Sequence, residues 1–291
     1  MKYLQAKKLI KLILLLSIFY LFAACSTRPN FVEKNYPGIL ATDGKVLFYF
    51  NLEKDELLLS QFLTTYSEGD LSEIITRTDR LSISIDGFGQ NSNFEIIAEG
   101  NFPRFFTNAA LNRQDNWIKH KGIYTFWENK SEGLYASVPL NSVAIISNSD
   151  VNSRLDYIES GKRNYIPDSI KAEFEHSAIT VYSHRPGAGL YKSLNIPTGK
   201  MLIQDLFLVV RKVEGNYSIS GNLDFINETD AKIFSTALKL GLLINLRTTG
   251  RNSIMKIVHE SRIDAVNNSI IIDNILLNSD EMLGLLSGNG Q

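Results

Sequence analysis

The N-terminal end of the chain constrains its folding more than any other feature. Lys2, Lys7, Lys8 and Lys11 stand in a stretch without acids, and Leu12 to Ala24 is a 13-residue apolar run ending against Cys25, the only cysteine. The run is too short to cross a hydrocarbon core of roughly 30 Å as a helix, so it reads as a cleaved export signal over residues 1–24 rather than as a spanning anchor. An exported chain with one cysteine forms no internal disulfide. The remaining 267 residues must therefore be held by an apolar core, and a hydrophobic content of 44% supplies one.

Without the signal the chain carries 26 basic and 31 acidic residues, a net charge of −5. Nucleic acid is excluded as a partner, because phosphate binding requires a net basic face to release counterions.

The segment Leu21-Phe22-Ala23-Ala24-Cys25 resembles the lipobox of bacterial lipoproteins, with Phe22 where that family most often carries Leu. The resemblance implies cleavage after Ala24, a diacylglycerol thioether on Cys25 and acylation of the freed amine, commonly by palmitate. The mature protein is then anchored to a membrane through lipidated Cys25, since each buried methylene contributes about 0.8 kcal/mol. Ser26, in place of the Asp that retains lipoproteins on the inner membrane, points to the outer membrane, with the soluble domain in the periplasm or at the surface. The mature domain itself resembles no family by these motifs.

Residues 25–45, with Pro29, Pro37, Gly38 and Gly44, read as a lipidated tether. Folded material is expected from Val46. Val46 to Asn51 is a strand candidate, Asp55 to Tyr66 has helical spacing, and Leu81, Ile83 and Ile85 alternate with polar residues as a half-buried strand does. The fold class is α+β: two similar lobes of antiparallel strands, 46–160 and 205–291, with helices packed on one face and a connecting segment at 161–204.

The lobes are suggested by a weak internal repeat. Strands 81–86 and 94–99 reach Gly100-Asn101-Phe102 and a helix from Pro103 to Leu111. Strands 206–213 and 217–220 reach Gly221-Asn222-Leu223 and a helix from Glu228 to Leu246. Each half then closes on the same tripeptide, Asn148-Ser149-Asp150 and Asn278-Ser279-Asp280, composed of residues that cap helix starts.

Chemistry is sparse. His120, His176, His184 and His259 form no metal-binding pair. Glu173, Glu175, His176 and His184 make the best mixed cluster, read as a solvated helix end leading into a strand. There is no Gly-x-Ser-x-Gly elbow. Gly187 to Ser193 departs from a phosphate loop because Tyr191 stands before Lys192. Aromatics concentrate at Phe102, Phe105, Phe106, Trp117, Tyr124, Phe126, Trp127 and Tyr135, where a hairpin turning at Lys121-Gly122 sends Phe126 and Trp127 to opposite faces, at least one of them core. The helix from Thr229 to Leu246 is apolar around most of its circumference. These features predict no catalysis, no metal and no cofactor, and a binding or assembly module of the cell envelope. The alternatives are a carrier or sensor of hydrophobic ligands and, third, a cell-wall-acting enzyme. Partners beyond the membrane would be another envelope protein or a hydrophobic ligand.

Overall fold

The computed structural model describes residues 36–55, 58, 76–87, 92–188, 191, 203–248 and 262–282. Cys25 and most of the expected helix Asp55 to Tyr66 lie outside these residues. Among the described residues the core already includes Tyr36, Ile39 and Leu40, ahead of the expected Val46. Helix α1 (Pro37–Leu40) thus belongs to the core rather than to a tether.

Among the described residues, twelve antiparallel strands form one sheet. The first half contributes β1 (Val46–Asn51), β2 (Thr78–Ile85), β3 (Phe94–Gly100), α2 (Arg104–Leu111), β4 (Trp117–Lys121), β5 (Thr125–Asn129), β6 (Leu134–Leu140), β7 (Val143–Ser147) and α3 (Asn152–Ser160). The second contributes α4 (Asp168–His176), β8 (Ile179–His184), β9 (Ile203–Val213), β10 (Asn216–Phe225), α5 (Glu228–Thr248), β11 (Arg262–Val266) and β12 (Ser269–Leu277). The expected connection 161–204 therefore contains a helix and a full strand of the sheet.

The strand order is β11-β12-β10-β9-β8-β1-β2-β3-β7-β6-β5-β4. Outward from the β1–β8 pair, β2, β3, β7 and β6 on one side answer to β9, β10, β12 and β11 on the other. The hairpin partner β5 and its neighbour β4 extend the first side alone. The two halves join along one seam, where Leu47 pairs with Tyr182 and Tyr49 with Thr180.

Strand alternation divides the side chains between two faces. On one face Phe50, Leu81, Ile179, Val210, Leu223 and Ile270 form the main core, with Ala231, Phe234 and Leu238 of α5 against it. Helix α2 lies on this face as well, where Asn108 accepts the indole N–H of buried Trp127 at 3.3 Å. The opposite face carries Leu47, Tyr49, Ser82 and Ile97 and is covered by α1, α3 and α4. There Tyr49 packs on Phe174 at 4.4 Å between ring centroids, and the Ser84 hydroxyl donates to the Leu40 carbonyl at 3.1 Å.

The repeated tripeptides follow β7 and β12, which hold corresponding places in the sheet, and they act differently. Asn278 and Glu281 form a reciprocal capping box, each side chain accepting the other's backbone N–H at 3.0 and 2.6 Å. Asn148 instead fastens β3, accepting Phe94 N–H at 2.8 Å and donating to the Ser92 carbonyl at 2.9 Å, while Asp150 accepts Asn152 N–H.

Candidate functional site

The structure disperses the Glu173, Glu175, His176 and His184 group. Glu173 accepts a hydrogen bond from Ser177 at 2.7 Å and pairs with Arg211 at 2.7 Å. Burial raises its carboxyl, but these bonds outweigh it and hold the group below the usual range. Glu175 pairs with Arg80 at 3.1 Å, His176 is exposed at the end of α4, and His184 lies at the far end of β8. Among the described residues no group of three metal-binding side chains exists. His120 stacks on Phe126 at 4.8 Å and bonds Glu128 at 2.8 Å.

His184 belongs to a different constellation. Together with Thr42, Asp43, Lys45, Asn164, Tyr165, Tyr182 and Asp205 it lines an open cleft of about 630 Å³ on the face that carries α1 and α4. Its floor is built by sheet register: Tyr182 and His184 alternate onto one face of β8, and His184 stands opposite Asp205 of β9. The His184 imidazole meets the Asp205 carboxylate at 2.7 Å. One wall is the turn from Thr42 to Lys45, closed by Lys45 N–H on the Thr42 carbonyl at 3.2 Å, with Gly44 at φ +83° as such a turn requires. The other wall, Asn164-Tyr165, is tied to α1 by Asn164 N–H on the Gly38 carbonyl at 2.8 Å and anchored by fully buried Ile166. Burial, then the charges of Asp205 and Asp43, push the Tyr182 phenol up to about 12, so at neutral pH it is a hydrogen-bond donor.

Lys45 at the edge of the cleft is already engaged. Its ammonium bonds Glu95 at 2.6 Å, and Glu95, 3% exposed, is also held by Arg154. Sequence reasoning missed the cleft because its residues come from positions 42 to 205, and no spacing rule connects them before the strands pair.

The aromatic run is split by the fold. Phe102, Phe126 and Trp127 are buried, whereas Phe105 and Phe106 are 78% and 64% exposed and meet edge to face at 5.5 Å. Helix α2, which carries them, buries none of its residues. Helix α5 turns Phe234 and Leu238 to the core and leaves Ile233 and Leu240, two turns apart, exposed. On the sheet face beneath, Leu208, Val181, Phe48, Ile83, Ile96 and Ile146 run side by side through six adjacent strands and are only half-buried. Among the described residues no helix is long and apolar enough to cross a membrane.

A single antiparallel sheet with helices on both faces, following a lipobox-like N-terminus, defines the class as an α+β lipoprotein of the bacterial envelope. The chain belongs to the family of the outer membrane-associated lipoprotein TP0453, whose family model matches residues 34–282. The match starts after Cys25, so it supports the lipoprotein reading independently of the lipobox, and it agrees with an envelope protein associated with the outer membrane. The crystal form I structure of TP0453 is similar to this chain at 19% identity, covering 87% of this chain and 97% of that one with a TM-score of 0.57. Crystal form IV is similar at 18% identity, covering 86% and 95% with a TM-score of 0.59. No curated protein matches the chain.

Proposed function

We propose that the protein is a non-catalytic binding or assembly module, held on the outer membrane by acyl chains on Cys25 after removal of residues 1–24, with its folded body in the periplasm or at the surface. The observation that carries this reading is α2, whose Phe105 and Phe106 project from a helix that buries nothing of its own. Contiguous exposed apolar surface of this kind marks a site of association. The partner this surface suits is another envelope protein. Halves 46–160 and 205–291, read as two copies of one unit, belong to the same proposal and are supported by the matching order of their strands.

The test is photocross-linking in cells from a reactive residue at position 106, combined with sedimentation of the detergent-solubilised protein. A complex of defined size that is lost in Phe105→Ser/Phe106→Ser, with the melting temperature unchanged, is the expected result. A sedimentation profile identical in wild type and double variant would refute it.

A second reading, a carrier of hydrophobic ligands, is favoured by the half-buried apolar row from Leu208 to Ile146. Native mass spectrometry of the unacylated protein, prepared without detergent, separates the two: bound lipid at one per chain supports the carrier.

A further inference from the structure

The cleft between the Thr42–Lys45 turn and the Asn164-Tyr165 wall is independent of the apolar helix faces and has a chemistry of its own. Its volume, about 630 Å³, is in the ordinary range of small-molecule sites. Its walls are preformed, since both are fastened by backbone hydrogen bonds to α1 or within the turn, and its floor is sheet.

Two of its lining side chains hold a polar atom that is shielded from water and, among the described residues, has no hydrogen-bond partner: Thr42 Oγ1 and Asn164 Nδ2. Buried groups of this kind are normally satisfied. Beside them stand a protonated phenol, Tyr182, and two carboxylates, Asp43 and Asp205. The lining therefore offers both donors and acceptors. At the rim Tyr165 is 78% exposed; the Lys171 ammonium lies over one side of its ring at 6.0 Å from the centroid, and the exposed remainder offers an aromatic surface whose negative quadrupole attracts polarised C–H groups.

The lining carries charges of both signs, most of them already paired. Lys45 bonds Glu95 at 2.6 Å, and Asp205 is shared with His184 at 2.7 Å, so both signs remain at the cavity edge. Asp43 and Asp205 disfavour an anion, and the Lys45 ammonium opposes a cation at the edge that it occupies. A neutral molecule carrying many hydroxyls and one C–H face meets no repulsion and can satisfy donors and acceptors together.

We infer that this cleft is a saccharide-binding site, in which Tyr165 packs on the sugar ring while Asp43, Asn164, Thr42 and Tyr182 hydrogen-bond its hydroxyls. It offers the lipoprotein a contact with envelope glycans separate from its apolar surfaces.

Saturation-transfer NMR and titration calorimetry on the full mature chain, in a sugar-free zwitterionic detergent, test this with glucose, maltose, N-acetylglucosamine and its β-1,4-linked dimer. At least one of these should bind saturably with Kd at or below about 1 mM. Tyr165→Ala and Asn164→Leu should each weaken that binding at least tenfold, with thermal melts verifying the fold. Phe105→Ser, away from the cleft, should leave it unchanged. The inference is overturned if none of the four sugars saturates, if both cleft variants bind as the wild type does, or if tetramethylammonium or inorganic phosphate displaces the sugar from the cleft. The α2-dependent complex should survive Tyr165→Ala, which keeps failure of this inference distinct from failure of the assembly reading.

Discussion

Arg154 of α3 grips Glu95 of β3 at two points, Nε to Oε1 at 2.7 Å and Nη2 to Oε2 at 2.9 Å, and its Nη1 donates to the Ile39 carbonyl of α1 at 3.3 Å. One side chain thus fastens α3 and α1 to the sheet, and Lys45 completes the shell around the carboxylate. Fork-shaped pairing of this kind fixes geometry as well as charge. Removing Arg154 leaves the buried Glu95 carboxylate with Lys45 as its remaining partner, so Arg154→Ala should destabilise the fold by up to about 3 kcal/mol, the lower end of the range for breaking a buried pair. Urea titration monitored by circular dichroism measures it, and Arg154→Lys should recover only part of the loss because an ammonium cannot form the fork.

Acid should weaken the same junction. Burial raises the Glu95 carboxyl, but the hydrogen bonds and charges of Arg154 and Lys45 outweigh it and hold the group below its ordinary value of 4.5. A depressed folded-state value means that the stabilisation is fully present above about pH 4.5 and is lost as pH falls through the lower value of the folded protein. Denaturation free energies measured between about pH 3 and about pH 7 should fall on the acid side more steeply in the wild type than in Arg154→Ala.

Gly100 and Gly221 occupy positions where a Cβ would strike neighbouring backbone, the Arg77 carbonyl in one case and the Phe207 carbonyl in the other. Each glycine lets β3 or β10 approach the preceding chain more closely than any other residue permits. Gly100→Ala and Gly221→Ala should each destabilise by about 1–3 kcal/mol through forced displacement of the partner strand. Thermal melts should show both variants below the wild type. A melting temperature unchanged in either would mean that the strand yields without strain.

Lipidation at Cys25 is decided at the mature N-terminus. Mass spectrometry should find that terminus at Cys25 with its acyl chains attached, and Cys25→Ala should move the protein from the membrane fraction to the soluble one. An unmodified Cys25, or a variant retained on membranes as firmly as the wild type, would contradict the anchor.

Several elements were legible from local pattern because their causes are local. The alternation of Leu81, Ile83 and Ile85 became β2, and the helical spacing after Pro103 and from Glu228 became α2 and α5 with boundaries within a few residues. The hairpin expected to turn at Lys121-Gly122 also formed, with its turn one residue later at 122–124, separating Phe126 from Trp127. Buried Tyr36, Ile39 and Leu40 were misjudged because Pro37 and Gly38 resemble linker residues, and only packing against Ser84 and Arg154 makes the segment part of the core.

By itself the sequence determined the α+β class and the character of an envelope lipoprotein, since turn chemistry, side-chain alternation and a lipobox-like segment act within a few residues. The tertiary structure decided what depends on partners distant in the chain. Pairing of β1 with β8 merges the two sets of strands into a single sheet, and the register of His184 on Asp205 brings together residues from positions 42 to 205. The hydrogen bonds that select such pairings are identical from one peptide unit to the next. The choice among possible partners is therefore made by how well whole faces bury their side chains, a property of the assembled sheet that no single segment carries.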